Sequence, residues 1–443
     1  MQEKVLQLLE SKHYNELKKY LETINNADLA QLLSEFKNED MILLYRFLSK
    51  DMAVETFAYM DTELQERLIH AMTDKELHDV TSELFLDDTI DLIEEMPANI
   101  VKRILKQAHP EQRALINEFL KYPSDSAGSL MTIEFIDLKA TMTVEEAFAK
   151  IRKIGLDKET IYTCYVLDDS RRLQGIVTVK DLLLAKYDTV LTDIMETNLI
   201  TVNTHDDKEE VVRKINKYDF LALPVVDQEF RLVGIITIDD AVDVMQDEIT
   251  EDFERMAAIA PSEDTYFRTS VFQHAKNRIT WLMVLMLSAT VTGALITRYE
   301  NAFQVLPILV SFIPMLMDTG GNCGSQSSTL IIRGMALDEI RSKDVFRVLF
   351  KEVRVSLLVG VILGTVNGLR IFIQYHDPLL ALVVGLTLIA TVCLSKALGC
   401  ILPMFAKRFN LDPAIMAAPL ITTIVDTCSI IIYFNIAMRI LNI

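Results

Sequence analysis

Hydrophobic and polar positions follow three rhythms along the chain. Over residues 1–125, leucine-rich stretches recur at helical spacing, each opened by capping and acidic residues: Asn26-Ala-Asp, Asn38-Glu-Asp, Thr73-Asp-Lys-Glu, Leu86-Asp-Asp and His109-Pro-Glu. Such openings satisfy the free amide groups at a helix start and oppose the positive end of its dipole. They predict a run of short amphipathic helices stacked as a superhelix. Around residues 131–250 the rhythm becomes β-branched alternation, and it occurs twice. Tyr165-Val-Leu-Asp-Asp-Ser-Arg-Arg-Leu-Gln-Gly-Ile-Val-Thr-Val-Lys-Asp corresponds to Pro224-Val-Val-Asp-Gln-Glu-Phe-Arg-Leu-Val-Gly-Ile-Ile-Thr-Ile-Asp-Asp at a constant offset of 59. Leu173, Gly175 and Asp181 fall on Leu232, Gly234 and Asp240, and upstream Met131 pairs with Met195 and Ile151 with Ile215. Each copy reads strand, helix, strand, tight turn, strand, helix.

The third rhythm is continuous apolarity. Residues 279–297 are 19 positions without a charge, flanked by Lys276, Arg278 and Arg298. That is long enough to cross a bilayer. Further spans are predicted at 305–317, 355–374, 379–405 and 414–438. The second is expected to break at Asp318-Thr-Gly-Gly-Asn. Between the second and third spans lie Arg333, Arg341, Lys343, Arg347, Lys351 and Arg354, and between the last two Lys407 and Arg408. The positive-inside rule then puts the N-terminal part in the cytoplasm and the C-terminus outside, in a multi-pass protein of the plasma or inner membrane. The charged N-terminus has no apolar signal-peptide core. The segment after the second repeat predicts a connecting helix over 250–275.

Charge sharpens this division. The 443 residues carry a net charge of −19, yet from His274 onward there are 9 acids against 14 bases, so the front part holds the whole acidic excess. An acidic surface attracts cations and lacks the basic footprint of a nucleic-acid binder. The five cysteines form no CxxC pair and read as inert thiols.

Ionisable groups inside spans mark functional sites by default. Asp426 is the one charge in the last span, and Asp318 opens a stretch of three glycines with many hydroxyl and amide groups. Irregular backbone at that depth belongs where it lines a wet cavity, with its carbonyls free to face a cation. A carboxylate with carbonyls, amides and water is a hard oxygen-only set, suited to Mg²⁺ or Ca²⁺.

The stretch Pro314-Met-Leu-Met-Asp-Thr-Gly-Gly-Asn-Cys-Gly-Ser-Gln-Ser resembles the second-span signature of the MgtE family of magnesium channels. The stretch from Leu411-Asp-Pro-Ala to Ala-Pro-Leu-Ile-Thr-Thr-Ile-Val-Asp-Thr427 resembles the family's last span. The tandem α/β repeat resembles a pair of CBS domains. The resemblance covers nearly the whole chain. It implies a helical N domain (1–127), two CBS domains (128–190 and 191–249), a connecting or plug helix (250–275) and an all-α five-span pore domain (276–443). It implies Asp426 as the central ion-binding residue, Asp412 as an accessory acid at the pore mouth, and Gly320, Gly321 and Asn322 as pore-shaping neighbours, with Asp318 beside them. Ser325 stands where the family often has Asn, and Ala418-Pro419 where it often has Asn-Pro.

The front part supplies acids for a sensor. Asp240, Asp243, Glu248, Glu251 and Asp252 fall on about three helical turns. Asp207, Glu209 and Asp219 flank the helix of the second CBS copy, Asp87 and Asp91 sit at i, i+4, and Glu55 lies in the helical domain. Family resemblance implies that magnesium bound among these acids closes the channel, and that the protein is a homodimer. In the first CBS copy, Tyr165 is expected to stack on or line a nucleotide pocket, Asp181 to accept from ribose hydroxyls and Lys180 to reach phosphate. At most one ATP per chain is expected, since the second copy has an acid in place of the lysine. The resulting expectation is a non-enzymatic Mg²⁺ channel or transporter importing magnesium, its partners being Mg²⁺ and other divalent cations, lipid and a second copy. The alternatives are a carrier of another divalent cation (Co²⁺, Mn²⁺) or a proton-coupled carrier. An intramembrane aspartyl protease built on Asp318 and Asp426 lacks the G-x-G-D setting, and a purely nucleotide-sensing anchor has no use for the polar second span.

Overall fold

Side chains cap three of the first ten helices. The Asn25 side chain accepts from the Ala27 amide at 3.0 Å, that of Asp61 from Leu64 at 2.8 Å, and Thr73 forms a reciprocal capping box with Glu76. The helices are α1 (Gln2–Glu10), α2 (Tyr14–Leu21), α3 (Asn26–Ser34), α4 (Asn38–Arg46), α5 (Lys50–Ala58), α6 (Thr62–Ala71), α7 (Asp74–Thr81), α8 (Leu86–Glu95), α9 (Ala98–Gln107) and α10 (Pro110–Phe119). This computed structural model describes residues 1–262, 266–409, 411–416 and 418–441. The chain divides into two compact units, Met1–Gln246 and Asp247–Ile443.

Alternate helices stack. α3 packs on α5, α5 on α7 and α7 on α9, with α4 on α6 and α8 on α10. Polar ties repeat at the same interval: Asn26–Glu55, Arg46–Glu76, Lys50–Glu83, Asn38–Arg67 and Asp74–Arg103 are each 29 to 33 residues apart. The stacked helices start at Asn26, Lys50, Asp74 and Ala98, every 24 residues, so a helix pair is the repeating unit and each tie reaches from one unit into the next. The exposed pairs contribute about 0–1 kcal/mol each. The stack is held chiefly by its buried leucines, among them Leu17, Leu29, Leu33, Leu44, Leu64 and Leu68.

The repeat at offset 59 is a structural repeat. After α11 (Ala127–Leu130) come β1 (Ile136–Lys139), α12 (Val144–Ile154), β2 (Thr163–Leu167), β3 (Leu173–Thr178) and α13 (Val179–Leu184). The second copy has β4 (Val202–Asn203), α14 (Lys208–Tyr218), β5 (Ala222–Val226), β6 (Leu232–Thr237) and α15 (Ile238–Met256). In each three-stranded sheet the first strand is parallel and the last antiparallel to the middle one. The turns match residue for residue. Arg171 and Phe230 have φ of 63° and 62°, and the carboxylates of Asp168 and Asp227 each accept two turn amides at 2.8–2.9 Å.

The two copies exchange their opening segments. A Cβ on Gly175 would lie 2.7 Å from Met195 Sδ, and one on Gly234 2.9 Å from Met131 Sδ. The glycines and methionines recurring in the sequence are therefore one reciprocal contact. Between the two sheets lies a core of Phe135, Tyr165, Leu167, Leu173, Ala222, Val226, Leu232 and Ile235.

In the second unit, α15 ends at Met256, with Ala258 at a φ of 57° and Pro261 following. The helix predicted continuously over 250–275 is therefore two helices: α16 starts at Val271. A left-handed residue followed by proline stops an α-helix, since proline disfavours helical geometry in the residue before it.

The long helices are α16 (Val271–Arg298), α18 (Ile313–Ala336), α19 (Val345–Tyr375), α20 (Pro378–Arg408) and α21 (Ala418–Leu441), with a short α17 (Glu300–Val305) after α16. Among the described residues α16, α19, α20 and α21 lie in helices long and apolar enough to cross a membrane. The second span differs from expectation. Residues 307–312 form a 3₁₀ turn, and α18 then runs unbroken through Asp318-Thr-Gly-Gly-Asn-Cys-Gly-Ser-Gln-Ser-Ser-Thr. The glycines serve helix packing instead of a broken backbone. A Cβ on Gly320 would meet Thr391 and Val425 at 2.8 Å, one on Gly321 Thr422 at 2.9 Å, and one on Gly324 Ile421 at 2.7 Å. They let α18 approach α20 and α21 at backbone distance.

Candidate ion pathway and regulatory acid cluster

The helical course of α18 sorts its side chains. Gly320, Gly324 and Ser327 are buried on the side facing α20, where Ser395 Oγ donates to the Gly320 carbonyl. Asp318, Asn322, Gln326 and Thr329 are exposed. Spaced at i, i+4, i+8 and i+11, they form one polar lane along the helix. A lane of carboxylate, amides and hydroxyl is too polar to face lipid hydrocarbon. It requires water or another protein surface.

Asp426 is part-buried on α21, close enough to Asp318 for the two carboxylates to act on each other. Thr427, the next residue, shares a hydrogen bond of 2.9 Å with Thr292 of α16, and Tyr433 Oη donates to the Leu309 carbonyl at 2.9 Å. These ties fix the rotation of α21. Just before α21, Asp412 accepts from the Ala414 amide at 2.7 Å and pairs with Arg255 of α15, which also pairs with Glu251. The sequence-predicted Asp318, Gly320, Gly321, Asn322 and Asp426 thus belong to one α18–α21 neighbourhood. The two glycines pack against α20 and α21, and the Asn322 side chain is exposed.

Residues 313–436 match the sequence model of a family described as divalent cation transporter, MgtE. The magnesium transporter MgtE of Thermus thermophilus is 34% identical over 430 residues, covering 96% of this chain and 95% of that protein. The chain belongs to the MgtE family. Residues 24–125 match the MgtE intracellular N domain, and residues 127–188 and 191–247 each match a CBS domain. The Bacillus subtilis magnesium transporter MgtE is 29% identical over 434 residues, 98% of this chain and 96% of its own. Among solved structures, the cytosolic domain of the Mg²⁺ channel MgtE in complex with ATP superposes with a TM-score of 0.52 at 35% identity, covering 55% of this chain and all of that one. The soluble part of a magnesium transporter gives 0.53 at 30% identity, covering 56% and 97%. The MgtE family is one of transporters, and its members are multi-pass membrane proteins with a helical N domain, a CBS pair and a helical membrane region.

In this MgtE chain the first unit gathers acids from four segments. Asp87, Asp88 and Asp91 of α8 face Asp239 and Asp240 at the start of α15, with Glu134 and Glu159 beside them. Burial, then the charge of Asp240, pushes the Asp87 carboxyl well above the usual range. Burial and neighbouring carboxylates raise Asp88 to about 6, and Asp91 and Glu159 to about 7. Asp240 is raised to about 6 by burial, although its hydrogen bond from Thr237 at 2.6 Å opposes the shift. Oxygen-only donors of this charge fit a hard divalent cation. No group of three or more His, Cys, Asp or Glu among the described residues is spaced to ligate one bare ion.

The other predicted sensor residues have local partners or places of their own. Glu55 accepts from the Asn26 side chain within the helical stack. Asp207 is the N-cap of α14, accepting from Glu209 at 2.8 Å, and Asp219 ends that helix at a φ of 54°. Asp243, Glu248 and Asp252 lie further along α15, and Glu251 is engaged by Arg255. Sequence reasoning missed Asp88, Glu134, Glu159 and Asp239 as members. Only Asp88 and Asp239, each adjacent to a named acid, carried any signal.

The nucleotide residues divide as well. Tyr165 has no exposed surface: its ring lies in the core between the sheets, edge-on to Phe135 at 5.7 Å, with its hydroxyl unpartnered. It offers no face for stacking, because β2 is the central strand and Tyr165 points to the inter-sheet side. Lys180 and Asp181 are exposed on α13. Asp181 also caps that helix, accepting from Thr178 Oγ1 at 2.5 Å.

Proposed function

We propose that this chain conducts magnesium into the cell across the plasma or inner membrane, and that its cytoplasmic acids close the path when internal magnesium is high. One observation carries the reading: an exposed lane of Asp318, Asn322, Gln326 and Thr329 on α18, with the carboxylate of Asp426 on α21 near enough to interact with that of Asp318. Such a lane can hold an ion with its water shell, because amides and hydroxyls hydrogen-bond those waters while the carboxylates balance the charge. A second copy placing its own lane opposite would enclose the path, so the functional unit is a homodimer. The basic residues Arg333, Arg341, Lys343, Arg347, Lys351 and Arg354 support a cytoplasmic N-terminal part and an external C-terminus. The relatives named magnesium transporter favour Mg²⁺ over Co²⁺ or Mn²⁺.

The regulatory reading rests on repulsion. Asp87, Asp88 and Asp91 on one side and Asp239 and Asp240 on the other resist being brought together while ionised. Bound divalent cations supply the positive charge that offsets this. Lys180 and Asp181 make the first CBS cleft the better candidate for ATP, and the solved relative carrying ATP supports a nucleotide in this class of domain. Mg²⁺ uptake by proteoliposomes tests the proposal. Wild type should load Mg²⁺ down its gradient, and Asp426→Ala should not, while inserting normally. Equal uptake by both would remove Asp426 from the path.

A further inference from the structure

Lys396 is a charged residue on α20 with only 5% of its surface exposed, within a helix apolar enough to span the membrane. Its Nζ donates to Ser327 Oγ of α18 at 3.2 Å, and Ser327 Oγ donates to Glu352 Oε2 of α19 at 2.7 Å. One hydroxyl therefore joins an ammonium and a carboxylate, and three helices meet at it. An ammonium in this setting is costly unless it is compensated. A leucine or methionine would fill the same volume without that cost, so the bridge needs a reason.

The geometry of α18 supplies one. Lys396 holds α18 at Ser327, and its neighbour Ser395 holds it at the Gly320 carbonyl, seven residues away on the same face. Between them a Cβ on Gly399 would lie 2.4 Å from the Gly324 carbonyl, so the helices already touch at backbone. At 3.6 residues per turn, the stripe of Gly320, Gly324 and Ser327 lies roughly 170° around the helix from the lane of Asp318, Asn322, Gln326 and Thr329. Small-residue contact sets how close two helices come but resists rotation poorly, since a smooth surface offers few interlocking side chains. Directional hydrogen bonds resist it well.

We propose that Lys396 is a positioning residue for permeation: through Ser327 and Glu352 it fixes the rotation of α18 and so aims the polar lane. This rests on the reading of that lane as the ion path. The test is ion flux per inserted protein in proteoliposomes, with Mg²⁺, Mn²⁺ and Ca²⁺ compared one at a time. Lys396→Met should lower Mg²⁺ flux by about tenfold or more, the scale of one lost charge-assisted hydrogen bond, and should change the order of preference among the three ions. Lys396→Arg, which keeps a charged donor, should restore the order. A role in stability alone would reduce the amount of folded protein and leave the order untouched. Should Lys396→Met fail to insert, Ser327→Ala carries the test, since it removes only the bridging hydroxyl. An altered order in Ser327→Ala supports the proposal. An unaltered order with flux within twofold of wild type overturns it, as does an inserted Lys396→Met with wild-type flux and order. Asp426→Ala in the same assay separates the two ideas. If it abolishes flux while Lys396→Met and Ser327→Ala keep wild-type flux and ion order, the ion path stands and the positioning role falls. If Asp426→Ala transports normally, the path itself is wrong.

Discussion

Arg255, in the last turn of α15, donates to the carboxylate of Asp412, 157 positions further along the chain and just ahead of α21. The same guanidinium also pairs with Glu251 one turn back, so its planar fork is shared between two acids. With Asp412 proposed at the mouth of the path, a paired carboxylate there is unavailable to an entering cation.

Arg255→Gln should therefore raise Mg²⁺ flux under conditions that normally hold the protein closed, by several-fold at high internal Mg²⁺, while changing open-state flux little. Flux measured at low and at high internal Mg²⁺ checks this. A variant that still closes fully at high Mg²⁺ would show that the pair plays no part in closure.

The acid cluster predicts an unusual pH dependence. Folding raises the carboxyls of Asp88 and Asp240 to about 6 and those of Asp91 and Glu159 to about 7. The folded unit thus holds protons more tightly than the unfolded chain, whose carboxyls titrate near about 4. Stability from this source is full at low pH and falls as pH rises from about 4 to about 7. Divalent cations replace the lost protons, so the Mg²⁺-induced rise in Tm should be large at pH 8 and small at pH 5. Thermal unfolding with EDTA or Mg²⁺ at the two pH values tests it, and equal Mg²⁺ shifts would contradict it.

Close helix contact in the second unit predicts a contrast between two glycines. Gly399→Ala drives a methyl into the Gly324 carbonyl and should cost about 1–3 kcal/mol. Gly293→Ala meets nothing within 4 Å and should be neutral or stabilising by up to about 1 kcal/mol. Thermal stability of the two variants in detergent gives the comparison.

Much of this architecture was legible in the sequence because it rests on local or repeated signals. The cap at Thr73, and the offset of 59 that aligns Gly175 with Gly234, need no knowledge of distant neighbours. The unbroken course of α18 was not legible. Glycine disfavours a helix interior by about 1 kcal/mol relative to alanine, so three glycines read locally as a break. What reverses the balance is packing against Thr391, Thr422 and Ile421, residues 71 to 101 positions away. Likewise Glu134 and Glu159 join Asp88 and Asp240 only through the fold.

Nucleotide binding should depend on the exposed residues of α13 and not on Tyr165. Lys180→Gln should weaken ATP binding about tenfold or more through the loss of one charged contact to phosphate, whereas Tyr165→Phe should leave it unchanged because the ring is sealed in the core. Calorimetry of the full chain in saturating Mg²⁺ checks both. ATP binding that is insensitive to Lys180→Gln would place the nucleotide elsewhere.

The central claim is that Asp426 and the α18 lane form a path for a hydrated magnesium ion. Current across a planar bilayer, at clamped potential with Mg²⁺ as the sole permeant cation, tests it most directly. Wild type should carry a Mg²⁺ current at low internal Mg²⁺ that reverses at the magnesium equilibrium potential. Asp426→Asn, which keeps the shape and removes the charge, should lose at least about nine-tenths of that current, the effect of a barrier raised by one charge-assisted contact. A full Mg²⁺ current through Asp426→Asn would contradict the account.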